Sequence, residues 1–254
     1  MYKRQPHDWS IEGDFSLDNP STPGGGALPG GIGWYRKTFT LPETDRDKVI
    51  YVDFDGVYRN SEVWINGHSL GFRPNGYVSF RYDLTPYLRY GSQPNVIAVK
   101  ADNSEQPNSR WYSGSGIYRN VWLVKVNPVH VDNWGTFVHD MKISSEEATF
   151  ALEVRIRNSS EADREAEVST SIYDDRNKVV TASVTTLLRV PYTPCYDTRM
   201  REASVDHQFS IPNPKLWSPD SPSLYTAVTE VKVAGKVVDR YETVFGLSLI
   251  HISE

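Results

Sequence analysis

The chain has 254 residues, 39% of them hydrophobic and 23% charged, a composition of folded globular proteins rather than disordered ones. A net charge of −5, with no basic stretch interleaved with aromatics, argues against nucleic acid or an anionic membrane as partner. The apolar runs are strand-sized and too short to span a bilayer, and the single cysteine, Cys195, excludes an intrachain disulfide or a multi-thiolate metal site.

The two ends stand apart. Residues 1–5 and 248–254 read as translated sequencing-adapter read-through, so both are set aside as non-native. A native N-terminus is then expected to be missing, which leaves the cellular address unknown, periplasm and secretion included. A domain of roughly 120 residues buries about two-thirds of its unfolded surface, so the remaining length has room for two cores.

In chain order, the cluster Gly24–Gly33 leads into Trp34-Tyr35-Arg36 and carries no lysine, so it reads as a surface loop rather than a phosphate cradle. Ile50, Val52 and Phe54 alternate with Tyr51, Asp53 and Asp55, the pattern of a half-buried strand. Val63 to Leu70 forms a hairpin around Asn66-Gly67, a pair suited to a type I′ turn, with Trp64 expected in the core. Ser113-Gly114-Ser115-Gly116 permits close backbone approach before one long predicted strand, Ile117–Val126, whose Trp122 is also expected inside. Asn127-Pro128 ends that strand and marks a boundary between domains at residues 6–127 and 128–247.

Beyond it, strands resume around Trp134. Phe150, Leu152, Val154 and Ile156 form one alternating run, and Ala166, Val168, Thr170 and Ile172 another. The pattern lapses between Thr185 and Ala203, then a second hairpin spans Val231 to Val238, turning at Ala234-Gly235-Lys236. No segment sustains an apolar stripe at helical spacing. The chain is predicted all-β, its second half spaced like an immunoglobulin-type sandwich.

Few residues advertise chemistry. The six histidines lack the spacing of a zinc site, and no Gly-x-Ser-x-Gly elbow occurs, so neither metal nor cofactor is expected. Arg110, Trp111 and Tyr112 fall at a loop mouth, where an aromatic face and a charged donor can meet sugar C–H and O–H groups. The competing reading is that Trp111 and Tyr112 pack the loop against the sandwich or a neighbouring domain.

Several longer segments carry a resemblance. Pro6-His7-Asp8-Trp9, Gly33–Phe39, Phe54–Gly71, Gly76–Thr85 and Arg110–Leu123 resemble, in order, the sugar-binding domain of glycoside hydrolase family 2. Leu216–Tyr225 and Tyr241–Gly246 resemble the immunoglobulin-like domain of the same family. The resemblance implies a jelly-roll β-sandwich followed by an immunoglobulin-like β-sandwich, from β-galactosidase-like retaining enzymes.

Such enzymes use two glutamates, an acid/base and a nucleophile, on a following (β/α)8 barrel. The family's acid/base glutamate follows an asparagine, and this chain has no Asn-Glu pair. A barrel takes about 250 residues, whereas eight positions follow Gly246. The resemblance therefore implies a non-catalytic N-terminal fragment, inactive alone, whose partners are a carbohydrate substrate and its own C-terminal barrel. It also implies that a loop of the first domain contacts sugar hydroxyls. Several family members carry an aspartate where ungapped counting back from Ser115-Gly116-Ile117 places Arg110 here. That departure leaves the glycone open and makes Asn108 or Ser109 alternative contacts, beside Arg110, Trp111 and Tyr112. Two rival functions remain: a stand-alone carbohydrate-binding module, and a purely structural pair of sandwiches.

Overall fold

The computed structural model describes residues 4–194 and 198–249. Cys195, residues 1–3 and residues 250–254 lie outside the described residues. The chain divides into two compact units, Met1–Lys125 and Val126–Glu254. Among the described residues there are short 3-10 turns and β-strands but no α-helix.

The first unit contains β1 (Gly31–Phe39), β2 (Val49–Phe54), β3 (Ser61–Ile65), β4 (His68–Arg73), β5 (Phe80–Asp83), β6 (Asn95–Asn103) and β7 (Val121–Val126). They form a jelly-roll sandwich of two sheets, ordered β1-β6-β3-β4 and β5-β2-β7. Alternation assigns each face: Val63 and Ile65 of β3 and Val99 and Ala101 of β6 point inward, against Val52 and Phe54 of β2. Asn66 and Gly67 close the β3–β4 hairpin with φ of 50° and 88°, both positive as a type I′ turn requires.

Two aromatic expectations fail here. Trp64 lies on the outer face of its sheet and stacks on Trp34, ring centroids 5.4 Å apart. Trp122 is 54% exposed, and its indole N–H donates to Asp55 at 3.1 Å. Alternation within a strand cannot by itself tell which of the two faces is apolar when both carry aromatics. The long strand expected from Ile117 is also shorter: Ile117 is buried outside any strand, next to a lone Tyr58–Gly116 bridge, and β7 starts at Val121.

The second unit contains β8 (Val129–Ile143), β9 (Glu147–Asn158), β10 (Arg164–Tyr173), β11 (Val184–Val190), β12 (Glu202–Pro212), β13 (Tyr225–Val233) and β14 (Lys236–Phe245). Its sheets are ordered β12-β9-β8 and β11-β10-β13-β14, an immunoglobulin-like sandwich. The series starts at Val129, earlier than expected, because Trp134 sits at an irregularity of β8 with φ 51° rather than at its start. Regular pairing likewise persists to Val190, so the irregular stretch after Thr185 begins later than the alternation indicates. Ala234-Gly235 alone forms the last turn, with Lys236 already paired to Val233.

Phe150, Leu152, Val154 and Ile156 of β9 bury against Ala166, Val168 and Ile172 of β10. One polar bridge crosses this apolar core. His207 on β12 is fully buried, its Nδ1 3.0 Å from Thr170 Oγ1, and Thr170 Oγ1 lies 2.9 Å from Thr229 Oγ1. At the edge, Arg157 clamps Asp132 at 2.7 and 2.9 Å. Burial alone would raise the Asp132 pKa, but the hydrogen bonds and charge of Arg157 outweigh it and hold the carboxyl below its ordinary value.

Burial pushes the pKa of His207 down, and it does the same to His130, which is also buried. Both folded values therefore lie below the unfolded value of about 6.5, so stability is complete above that pH and falls as pH drops beneath it. Each histidine contributes a slope of at most roughly 1.4 kcal/mol per pH unit. We expect the urea midpoint of the second unit to fall between pH 7 and 5, and the double variant His130→Asn/His207→Asn to flatten that dependence. Equal midpoints at both pH values in the unaltered chain would refute it.

Candidate functional site

β6 begins and ends on buried asparagines, Asn95 and Asn103. Asn103 stands in the inward phase after Ile97, Val99 and Ala101, where a polar side chain must find partners. It fills its whole capacity. Its Nδ2 donates to the Gly114 carbonyl at 3.0 Å and to Ser115 Oγ at 2.9 Å. Its Oδ1 accepts from Gln106 Nε2 at 2.9 Å and from Asn108 Nδ2 at 2.6 Å. One side chain thus gathers both ends of the loop 104–116.

A carboxylate fastens the same loop from another direction. Asp8 Oδ1 accepts the backbone N–H groups of Ser10 and Ser115, each at 2.9 Å, and Oδ2 accepts the Tyr112 hydroxyl. The N-terminal segment runs beside the loop, with Trp9 N–H bonded to the Ser115 carbonyl at 3.1 Å and His7 N–H to Ile117 at 2.7 Å. Gly114 is required at its position: φ is +73°, and a Cβ would stand 2.8 Å from Asp8 Oδ2. Ser10 and Ser115 hydroxyls lie 2.7 Å apart in the buried space behind the loop.

Tyr35 of β1 completes the frame, its hydroxyl 2.8 Å from His7 Nδ1. Burial pushes its pKa up to about 12. Burial, and then the hydrogen bond to Asp8, raise the Tyr112 pKa as well. Both phenols stay protonated at neutral pH and act as fixed hydrogen-bond partners, not as acids.

The four residues singled out from sequence divide into two pairs. Asn108 and Tyr112 are tied down: half-buried Asn108 bonds Asn103 and also accepts from Ser113 Oγ at 3.3 Å, while Tyr112, 41% exposed, has its hydroxyl held by Asp8. Arg110 and Trp111 turn outward at the loop tip. Trp111 is 63% exposed, its carbonyl held by Ser109 Oγ at 2.6 Å, and the exposed Arg110 has no ion pair among the described residues. An exposed indole and an exposed guanidinium therefore follow one another at the tip of a loop held at both ends. This arrangement can bind an amphipathic, hydroxyl-rich ligand; it offers no nucleophile and no acid–base pair of its own. Asp8 and Asn103 are the residues sequence reasoning passed over. Asn103 was detectable as an amide in the inward phase of a strand, whereas nothing local connects Asp8 to a loop about a hundred positions away.

Comparison with known proteins agrees with this architecture. The model of the sugar binding domain of glycosyl hydrolases family 2 matches residues 15–127, and a second model of glycosyl hydrolases family 2 matches residues 129–247. The chain belongs to glycosyl hydrolase family 2, as its sugar-binding domain followed by its immunoglobulin-like domain. It is 48% identical over 249 residues to a β-galactosidase of Bacteroides ovatus, covering 95% of this chain and 27% of that one. A β-glucuronidase of Formosa agariphila is 33% identical, over 85% of this chain and 23% of its own. A crystal structure of a family 2 member from Bacteroides cellulosilyticus superposes with a TM-score of 0.89 at 34% identity, covering 96% of this chain and 31% of that one. The chain thus spans 23% to 31% of the length of these relatives.

Replacing Asn103 by alanine would strand Asn108, Gln106 and the Gly114 carbonyl. The expected cost is roughly 2–3 kcal/mol, from buried groups left without partners. Amide hydrogen exchange at Ser113–Ser115 should accelerate before global unfolding does. Unchanged protection at those amides would mean that Asn103 does not hold the loop.

Proposed function

We propose that this chain is the non-catalytic N-terminal portion of a retaining glycosidase of the β-galactosidase type. In this reading the 104–116 loop lends Arg110 and Trp111 to the sugar site of a following catalytic barrel, while Asn108 and Tyr112 brace them. The observation that carries the proposal is the tethered loop with exposed Arg110 and Trp111 at its tip, in the sugar-binding domain of a chain covering a minor share of its relatives' length.

The two domain limits belong to the same proposal: residues 6–127 shape the sugar site, and residues 128–247 support the barrel. Bare apolar surface on the second unit fits a support role. Trp134, Phe137 and Met141 of β8 are all exposed, more apolar side chain than one sheet edge ordinarily leaves to water.

The chemistry is absent from the described residues, which hold two antiparallel sandwiches and none of the eight strand–helix units of a barrel. The 254-residue chain is therefore expected to be inactive. A specific feature supports a second glycone: the unpaired Arg110 suits a carboxylate, as a uronic acid would present. The β-glucuronidase likeness runs in the same direction.

The test uses nitrophenyl β-galactoside and β-glucuronide with this chain and with a longer protein that extends past Leu247. The chain alone should hydrolyse neither, and the longer protein should hydrolyse at least one. In the longer protein, Trp111→Ala should raise KM about tenfold, the equivalent of about 1.4 kcal/mol of lost contact. Arg110→Ala should harm the glucuronide more than the galactoside. Hydrolysis by the 254-residue chain, or unaltered kinetics in Trp111→Ala, would overturn the reading.

A further inference from the structure

The outer face of the β1-β6-β3-β4 sheet is not built like an ordinary solvated surface. Register places Trp34 opposite Lys100, Lys100 opposite Glu62, and Glu62 opposite Phe72, a row running across all four strands. Trp34 is 63% exposed and Phe72 52% exposed. Trp64 leans across β6, above the small Ala98, to stack on Trp34 with an interplanar angle of 28°. The stack fixes the Trp34 ring while leaving most of its surface to solvent.

Polar groups line this aromatic face. Lys100 Nζ sits 3.6 Å from Glu62 and 3.5 Å from Asp102, and Arg36, one pleat from Trp34, is exposed without an ion pair among the described residues. Beside β1 the face opens into a cleft of about 790 Å³, walled by Ile32, Trp34 and Arg36 on one side and Trp9 and Glu12 on the other. The second wall is the segment whose Asp8 fastens Tyr112 and Ser115. At the other end of the strand, Gly31 pairs with Asn103, the anchor of the same loop. Trp34 lies three residues from Gly31, roughly 10 Å along the strand. The aromatic face and the cleft share Trp34, and the segments that flank them also hold the Arg110–Trp111 loop through Asp8 and Asn103.

We propose that this sheet face and cleft form a second carbohydrate-contacting surface, taking sugar units of an oligosaccharide beyond the one met by the loop. Pyranose rings present an apolar C–H face and an equatorial belt of hydroxyls. A fixed, exposed indole flanked by a guanidinium, an ammonium and carboxylates matches both. A second copy of this chain would instead want a charge-depleted apolar patch, whereas here an ion-paired row crosses the middle of the aromatic one. The inference rests on the sugar-binding reading of the loop, and the test separates the two.

The seven tryptophans give seven indole N–H signals in a ¹⁵N-labelled 254-residue chain, which report weak binding and locate it. The probes are β-1,4-linked galactotetraose and glucotetraose, each against its monosaccharide. With a tetraose, the Trp34 and Trp64 signals should move together with that of Trp111; with the monosaccharide, only Trp111 should respond. Trp34→Ala should weaken tetraose binding about tenfold and leave the monosaccharide response intact. Its thermal unfolding should match the unaltered chain, since the ring is mostly exposed. Movement of Trp111 alone overturns the second surface and leaves the loop reading standing. Movement of Trp34 and Trp64 without Trp111 does the reverse, and no response to either tetraose overturns both. A Trp34 shift that grows with protein concentration in the absence of sugar assigns the face to a second copy and also overturns the proposal.

Discussion

The candidate site depends on one buried amide. Asn103 has two donors and two acceptor positions, and all four are engaged by atoms of a loop that would otherwise have no reason to fold back. A hydrophobic residue in the same inward position would pack but could not specify where residues 104–116 go. The apolar core decides that β6 is a strand with this face inward. The asparagine decides what happens when the strand ends. That division of labour is general: burial is non-directional, whereas hydrogen bonds in a low-dielectric setting are costly to leave unmade and so dictate geometry.

Asp8 adds the second constraint, and the two act on different parts of the loop. Asn103 closes its base through Asn108 and Gly114, while Asp8 fixes its return through Ser115 and Tyr112. Between these fixed points stand Ser109, Arg110 and Trp111, with Ser109 bracing the Trp111 carbonyl. A short tip between two clamps has little conformational entropy left to lose on binding. In the proposed reading this is how the loop would serve a sugar site: it carries an exposed indole and an exposed guanidinium on a backbone held at both ends. The second unit uses the same device at the end of β9, where fully buried Asn158 donates to the Ala162 and Val190 carbonyls and accepts from Ser160, while the His207–Thr170–Thr229 bridge is sealed in the core.

Much of the architecture was legible from period-2 alternation. The runs Phe150–Ile156 and Ala166–Ile172 are buried on the phases expected, and Asn66-Gly67 turns as its φ preferences demand. What alternation could not supply was the sense of a face. Trp64 and Trp122 sit in regular strands, yet each points outward, Trp64 because Trp34 awaits it across β6 and Trp122 because Asp55 takes its N–H. Those partners are 30 and 67 positions away, beyond the reach of any local pattern. Of the site, the loop tip could be read from residue type, since Arg110-Trp111-Tyr112 follow a strand end. The roles could not. Tyr112 resembles Trp111 in sequence context, and only the position of Asp8 ties the hydroxyl of one while the other ring stays unheld.

The richness of the first unit in glycine and aromatic residues has the same root. Gly33 lies under the Trp9 ring, where a Cβ would overlap the indole, so the N-terminal segment can settle flat against β1. That close approach places His7, Asp8 and Trp9 within hydrogen-bonding range of Ser115 and Ile117. A larger residue at position 33 would lift the segment and with it the carboxylate that holds the loop. The glycine therefore acts on Arg110 and Trp111 without touching either, through an indole, a backbone pair and Asp8 in turn. The placement of Arg110 and Trp111 is in that sense a consequence of backbone packing several steps removed.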